Sequence, residues 1–189
     1  SADHDLSVDD IKNKLYNSAV DLGAKGKDNY FGHGRVNAAV AVLSAHGIST
    51  PSYKINRRAG ILTGVLVGTS LPVLRSALTI PYGSLKIYDA QDNLVSEGVV
   101  KTGMTVKLFE NASSDVPVLE KLTIAVKGDV NGDDGLSIAD YTLLRVYLLN
   151  LYTLSPAAAV ASDVTSDGKL DVSDYTNIRL ALLKVKPLG

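Results

Sequence analysis

The spacing of hydrophobic positions changes character along this chain, and each change marks a different kind of element. Near the start, Ile11, Leu15 and Ala19 recur on one helical face, Ser7 stands as an N-cap with Asp10 three residues on, and Gly23 can end the turn. A glycine-punctuated stretch, KGKDNYFGHG, then leads into a run of small residues that predicts a second helix from about Arg35 to Ala45. Ile48 to Ser52, with Pro51, reads as a short linker. From Tyr53 to Lys127 the period becomes two. YKINRR, AGILTGVLV, SLKIYDA, NLVSEGVV, MTVKLFE and KLTIAVK are short, β-branched and bounded by Gly, Pro, Asn or Asp. One short helix, about Leu71 to Leu78 with Pro72 in its first turn, interrupts them. This predicts a small α+β or sandwich-like module.

Helical spacing returns twice after Gly128, because GDVNGDDGLSIADYTLLRVYLL from Gly128 is repeated as SDVTSDGKLDVSDYTNIRLALL from Ser162 with a period of 34 residues. Identities fall at Asp129/Asp163, Asp133/Asp167, Leu136/Leu170, Asp140/Asp174, Tyr141/Tyr175, Thr142/Thr176 and Arg145/Arg179. A calcium loop of EF-hand type needs oxygen at positions 1, 3, 5, 7 and 9, a carboxylate at position 12, and a left-handed turn at position 6. The first copy offers Asp129, Asn131, Asp133, the Gly135 carbonyl, Ser137 through a water, and Asp140. The second offers Asp163, Thr165, Asp167, the Lys169 carbonyl, Asp171 and Asp174. Position 6 is Gly168 in one and Asp134 in the other, and Asp tolerates positive φ better than most residues. A single DxNxD string is as easily an acidic turn. Two in register, each followed by a helix, predict two bound Ca²⁺ ions.

Each following helix carries two apolar stripes. Tyr141, Leu144, Leu148 and Leu151 form one, with Ile138, Val146 and Leu149 opposite; Tyr175, Ile178, Leu182 and Val185 repeat the first, with Val172, Leu180 and Leu183 opposite. A domain this small has one core, so one stripe per helix must face a partner.

The duplicated loop and helix, with Asp at position 12 and a strand-like KLTIAVK in place of an entering helix, resembles a dockerin, the module that plugs enzymes into cohesin domains of bacterial cellulosomes. The resemblance implies calcium-dependent folding and tight cohesin binding. Carried onto this chain, recognition falls on Ile138, Ala139, Arg145, Val146 and Asn150, and on Val172, Ser173, Arg179, Leu180 and Lys184, with Thr142, Leu149, Thr176 and Leu183 on the same sides. Many dockerins have Ser-Thr where this chain has Ile138-Ala139 and Val172-Ser173, which bears on which cohesin is chosen.

Composition narrows the field. Of 189 residues, 46% are hydrophobic and 21% charged, as in ordinary globular domains, and the net charge of −1 points to neither nucleic acid nor a membrane surface. No cysteine is present, which excludes disulfides, thiolate metal sites and a cysteine nucleophile. Calcium loops favour a secreted, extracellular setting, and the start at Ser1 without a signal peptide reads as a mature fragment.

Two further resemblances concern the rest of the chain. SVDDIKNKLYNSA followed by LGAKGKDNYFGHGRVNAAVAV resembles the C-terminal end of subtilisin-like serine peptidases, and implies a piece lying beyond all three catalytic residues. Gly68-Thr69-Ser70 matches the nucleophile string of that family in letters alone, since it follows a strand and continues as Leu71-Pro72; His4, His33 and His46 lack an orienting partner in the pattern. TGMTVKLF and LTIAVKGDVNGD resemble the X modules that precede dockerins. Sugar binding by the middle module would need an exposed aromatic row, and only Tyr53, Tyr82, Tyr88 and Phe109 are available. Lys54, Arg57 and Arg58 read as a solvated strand face.

The expectation is therefore a multi-domain, non-enzymatic chain: a short N-terminal helical segment (1–47), a β-rich X-like module (51–127) and a mostly α dockerin with two EF-hand-like loops (128–189). Its expected partner is a cohesin of a scaffoldin or cell-surface anchoring protein, in a secreted assembly for polysaccharide degradation. An active peptidase fragment and a calcium sensor are the alternatives; sensors use Met-rich grooves, and Met104 is the single methionine.

Overall fold

The structure is a computed structural model and describes residues 7–17, 19–20, 22, 27–30, 32–36, 47–80, 83–110 and 118–188. Among these, the strands are β1 (Lys54–Asn56), β2 (Ile61–Leu66), β3 (Ser84–Tyr88), β4 (Leu94–Val95), β5 (Thr105–Phe109) and β6 (Val118–Lys127). The helices are α1 (Val8–Asn17), α2 (Leu71–Ala77), α3 (Ile138–Leu148), α4 (Pro156–Ser162) and α5 (Val172–Leu182). Strands follow the order β1-β2-β6-β5-β3-β4 in one mixed sheet. β1 pairs antiparallel with β2, β2 parallel with β6, and β3 antiparallel with β4. The β2–β6 register slips by one residue between Leu62 and Val65, where Gly64 takes φ +89° as the extra residue of a bulge. Strand β6 alternates at first, with Leu122 and Ile124 buried and Lys121 exposed, and toward its end it is covered on both faces, since Ile124, Ala125 and Val126 are all buried.

Contacts divide the chain into two compact units: Ser1–Ser49, Thr79–Lys86 and Lys107–Lys121; and Thr50–Leu78, Ile87–Val106 and Leu122–Gly189. In the first unit Ile48 is fully buried and donates its amide to the Glu120 carboxylate, while Ser49 pairs backbone to backbone with Thr79. The expected linker at Ile48–Ser52 therefore begins with a core residue tied on both sides. Helix α1 starts beside Ser7 as predicted but ends at Asn17, short of Ala19, and Ile11 and Leu15 stay exposed. His33 stacks on Tyr16 with ring centroids 4.1 Å apart, in keeping with a structural role for this loop residue. Arg35 forms a two-bond bridge with Val20, so the helix expected from Arg35 does not start there; residues 37–46 lie outside the described residues. Phe109, one of four aromatics available for sugar, is buried under the Lys86 ammonium, and Tyr82 lies outside the described residues.

In the second unit, α2 starts where Pro72 predicts and buries Leu71 and Leu74. NLVSEGVV contracts to the two-residue β4, because Val99 pairs instead with Ser70 and Val100 enters the core. Beyond β6, one apolar cluster joins Val130, Leu144, Leu154, Ala158, Val164 and Ile178, and a second joins Ile61, Ala125 and Ala161. Helix α4 thus faces the sheet through Ala161 and the duplicated region through Ala158. The small side chains of Ala158 and Ala161 allow that close double contact.

Candidate calcium-binding loops and docking surface

Residues Asp129 to Asp140 form the first loop and α3 leads out of it. Strand β6 runs into Gly128, whose φ of +91° turns the chain, and the Gly128 amide donates to the Ala161 carbonyl at 2.9 Å. The Asp129 carboxylate is wholly buried: Oδ1 accepts the amides of Gly132 (2.8 Å) and Asp133 (3.1 Å), and Oδ2 that of Thr102 (2.9 Å). At position 12, also wholly buried, Asp140 Oδ1 accepts from Val130 (2.7 Å) and Asn131 (3.0 Å), while Oδ2 accepts the Ser137 amide and hydroxyl. Ser137 and Asp140 form a capping box, so the residues at positions 9 and 12 also start α3.

The second loop copies this. Asp174 is buried; its Oδ1 accepts the Thr165 amide and hydroxyl, both at 3.0 Å, and its Oδ2 the Asp171 amide at 3.1 Å. Asp171 caps α5 in the same box. Asp163 is half-buried and its carboxylate accepts from groups of its own loop: Oδ1 from the Asp167 amide at 3.2 Å and the Thr165 hydroxyl at 3.3 Å, and Oδ2 from the Gly168 amide at 2.9 Å. Position 6 is left-handed in both loops, Asp134 at φ 97° and Gly168 at φ 82°, as the spacing requires.

Burial pushes the Asp129 carboxyl above its ordinary range, and the nearby Asp140 carboxylate pushes it further, against the pull of the amides it accepts. Buried like charges at positions 1 and 12 call for a cation, and the donors are oxygens throughout, which suits Ca²⁺. Asn131, Asp133, Thr165 and Asp167 stay exposed, and among the described residues no three acidic or histidine side chains yet converge on a point. The residues fit calcium, with Asp129 and Asp140, and Asp163 and Asp174, as the fixed ends of each ligand set.

Within the helices the predicted division of faces holds. Leu144 and Ile178 are fully buried, and Tyr141 and Tyr175 stack with centroids 4.2 Å apart at equivalent positions of the two copies. The opposite stripes face water: Ile138 is 69% and Val172 68% exposed, Leu149 57% and Leu183 61%. Ala139, Thr142, Arg145, Asn150, Ser173, Thr176, Arg179 and Lys184 are exposed as well, and Val146 and Leu180 are half-buried. Leu151 and Val185, expected inside, are instead exposed. Both helices end one turn earlier than the apolar spacing suggests. Asn150 (φ 58°) and Lys184 (φ 56°) turn left-handed, with Leu151 N–H donating to the Val146 carbonyl and Val185 N–H to that of Leu180. These are paired Schellman ends, and they swing the next residue outward.

Sequence reasoning missed Thr102 and α4. The second had a signal in Ser155-Pro156, where Ser155 caps and Pro156 opens the helix. Thr102 lies 27 residues from Asp129 and no local pattern joins them. Ser70, the nominal nucleophile, is the N-cap of α2 in extended backbone and its side chain makes no capping bond. His4 and His46 fall outside the described residues.

This geometry defines the class: a duplicated loop–helix module whose loops fit calcium, with an exposed repeat-related apolar ridge. Residues 127–183 match the family described as the dockerin type I domain. Such domains bind calcium, dock onto cohesin domains, and typically belong to extracellular cellulosome components. No curated protein and no solved structure matches the chain. Among the described residues, no helix is long and apolar enough to cross a membrane.

Proposed function

We propose that this chain acts by docking, with no catalysis of its own: two Ca²⁺ ions fix the loops so that α3 and α5 present Ile138, Val146 and Leu149, or Val172, Leu180 and Leu183, to a cohesin. The observation that carries this is the repeated pairing of a buried twelfth-position carboxylate with an exposed apolar stripe on the helix it starts. In loop one Asp129, Asn131, Asp133, the Gly135 carbonyl, Ser137 and Asp140 would hold the ion; in loop two Asp163, Thr165, Asp167, the Lys169 carbonyl, Asp171 and Asp174. Calcium supplies the positive charge that lets buried carboxylates remain ionised. Arg145 and Arg179, exposed beside the ridges, suit acidic groups on the partner.

The matching ridges support binding in either of two orientations related by the repeat. We further assign residues 51–127 to an X-like module and residues 1–47 to the tail of a secreted subtilisin-like peptidase, so that the docked cargo is a peptidase held on a cellulosome or cell surface. The sequence strings quoted for each resemblance support these assignments.

Calorimetric titration of the chain with a panel of cohesin domains, in millimolar calcium and then in excess chelator, tests the central reading. Tight one-to-one binding that disappears with chelator is expected; calcium uptake without binding to any cohesin would sink it. Charged substitutions at Ile138 and Val146, then at Val172 and Leu180, then at all four, test the two orientations. Loss of binding from either pair alone would exclude them. Casein hydrolysis that is lost in Ser70→Ala would overturn the non-catalytic assignment.

A further inference from the structure

The two loops differ at position 4, where Gly132 stands in the first and Ser166 in the second. Both are left-handed, at φ +78° and 60°, so backbone conformation alone does not demand glycine there. What differs is the neighbour. A Cβ on Gly132 would lie 2.6 Å from the Thr102 carbonyl oxygen, closer than such atoms approach without displacement.

Thr102 touches the first loop from a segment that is distant in sequence. Its amide donates to Asp129 Oδ2 at 2.9 Å, and its hydroxyl is locked to the end of β6, accepting from the Val126 amide at 2.9 Å and donating to the Val126 carbonyl. Lys101 reaches Asp134 at 3.5 Å, and the Gly103 amide donates to the Ile124 carbonyl. Among the described residues, the second loop has no such wall. Both oxygens of Asp163 are taken by groups of the loop itself, and beside that loop lies a cleft of about 510 Å³ bordered by Lys54, Gly64, Lys127, Asp163, Ser166 and Gly168.

We propose that Lys101, Thr102 and Gly103 form an outer wall of the first calcium loop, with Thr102 as the positioning residue for Asp129, so that the two loops bind calcium unequally: the first fills before the second and empties after it. This rests on the calcium-docking reading above. An amide held at a fixed place gives one oxygen of Asp129 a partner that sets the carboxylate plane as the loop closes on the ion; among the described residues, Asp163 has only its own loop to orient it. Partners that orient a metal ligand change affinity by about 10–100-fold when lost. The filled first loop also ties the sheet to the dockerin through the same bond.

The test follows the amide resonances of Gly132 and Gly168 in the whole chain as calcium alone is titrated, together with hydrogen exchange at the Thr102 amide. Gly132 is expected to saturate at lower calcium than Gly168, and the Thr102 amide to become protected in step with Gly132. Gly132→Ser, which gives the first loop the residue of the second, is expected to weaken the first site by about tenfold and to uncouple Thr102 protection from calcium. Ser166→Gly should leave the order intact. Simultaneous saturation, Gly168 first, or Thr102 protection unaffected by Gly132→Ser overturns the proposal while leaving the docking reading standing. Absence of any calcium response at both glycines overturns that reading too. Should Gly132→Ser fail to fold, the order and the Thr102 protection in the unaltered chain still decide the matter.

Discussion

Asp129 and Asp163 open two loops that agree letter for letter at positions 1, 5, 8 and 12, yet one carboxylate is wholly buried against the sheet and the other is half-exposed beside a cleft. The comparison separates what a duplication copies from what it cannot. It copies the ligand pattern, the capping boxes at Ser137/Asp140 and Asp171/Asp174, the core residues Leu144 and Ile178, and even the Schellman ends. It cannot copy the neighbour. Before the first loop stands a strand that belongs to a sheet; before the second stands α4.

Calcium removal should have the largest effect and fall on both loops: each ion at a thousandfold excess over its Kd stabilises by about 4 kcal/mol. Thermal unfolding in chelator should therefore show the C-terminal transition lowered or lost; an unchanged transition would mean that the buried carboxylates do not need a cation. Next come the core positions. Leu144→Ala and Ile178→Ala should each cost about 3 kcal/mol in urea unfolding, and a large inequality between them would show that the asymmetry reaches the core.

The twelfth-position carboxylates should sharpen the contrast. Asp140 accepts from four donors and Asp174 from three, so Asp140→Ala should cost about 3 kcal/mol and Asp174→Ala somewhat less. Equal midpoints in urea would remove the basis for treating the first loop as the better-held one. The smallest effect belongs to Lys101→Ala. Its pairing with Asp134 is partly exposed, so the loss should stay below about 1 kcal/mol and vanish at high salt.

Much of this was legible because the repeat is local. Loop spacing, caps and inward stripes are set within a dozen residues, and the alternating runs located every strand among the described residues. Three features were not legible, for physical reasons. The Thr102–Asp129 bond joins segments far apart in sequence, and only tertiary packing brings them together. Leu151 and Val185 continue the apolar spacing of their helices, but a left-handed residue intervenes, and Lys184 at that position gives no glycine signal. Ile48 sits beside Pro51 in a stretch that looks like punctuation, yet the Glu120 carboxylate holds its amide inside.

The junction at Lys127–Gly128 bears on how such a region can be inherited. Strand β6 passes into the first ligand without a spacer, Gly128 donates to Ala161, Thr102 grips Asp129, and a side chain at Gly128 would strike Leu188 at 2.6 Å. A recombination event that cut the gene at this boundary would deliver a dockerin whose second loop arrives intact and whose first arrives without its wall. The transferable segment is therefore larger than the repeat: it reaches back at least to Lys101, and selection on docking would carry the sheet along with it.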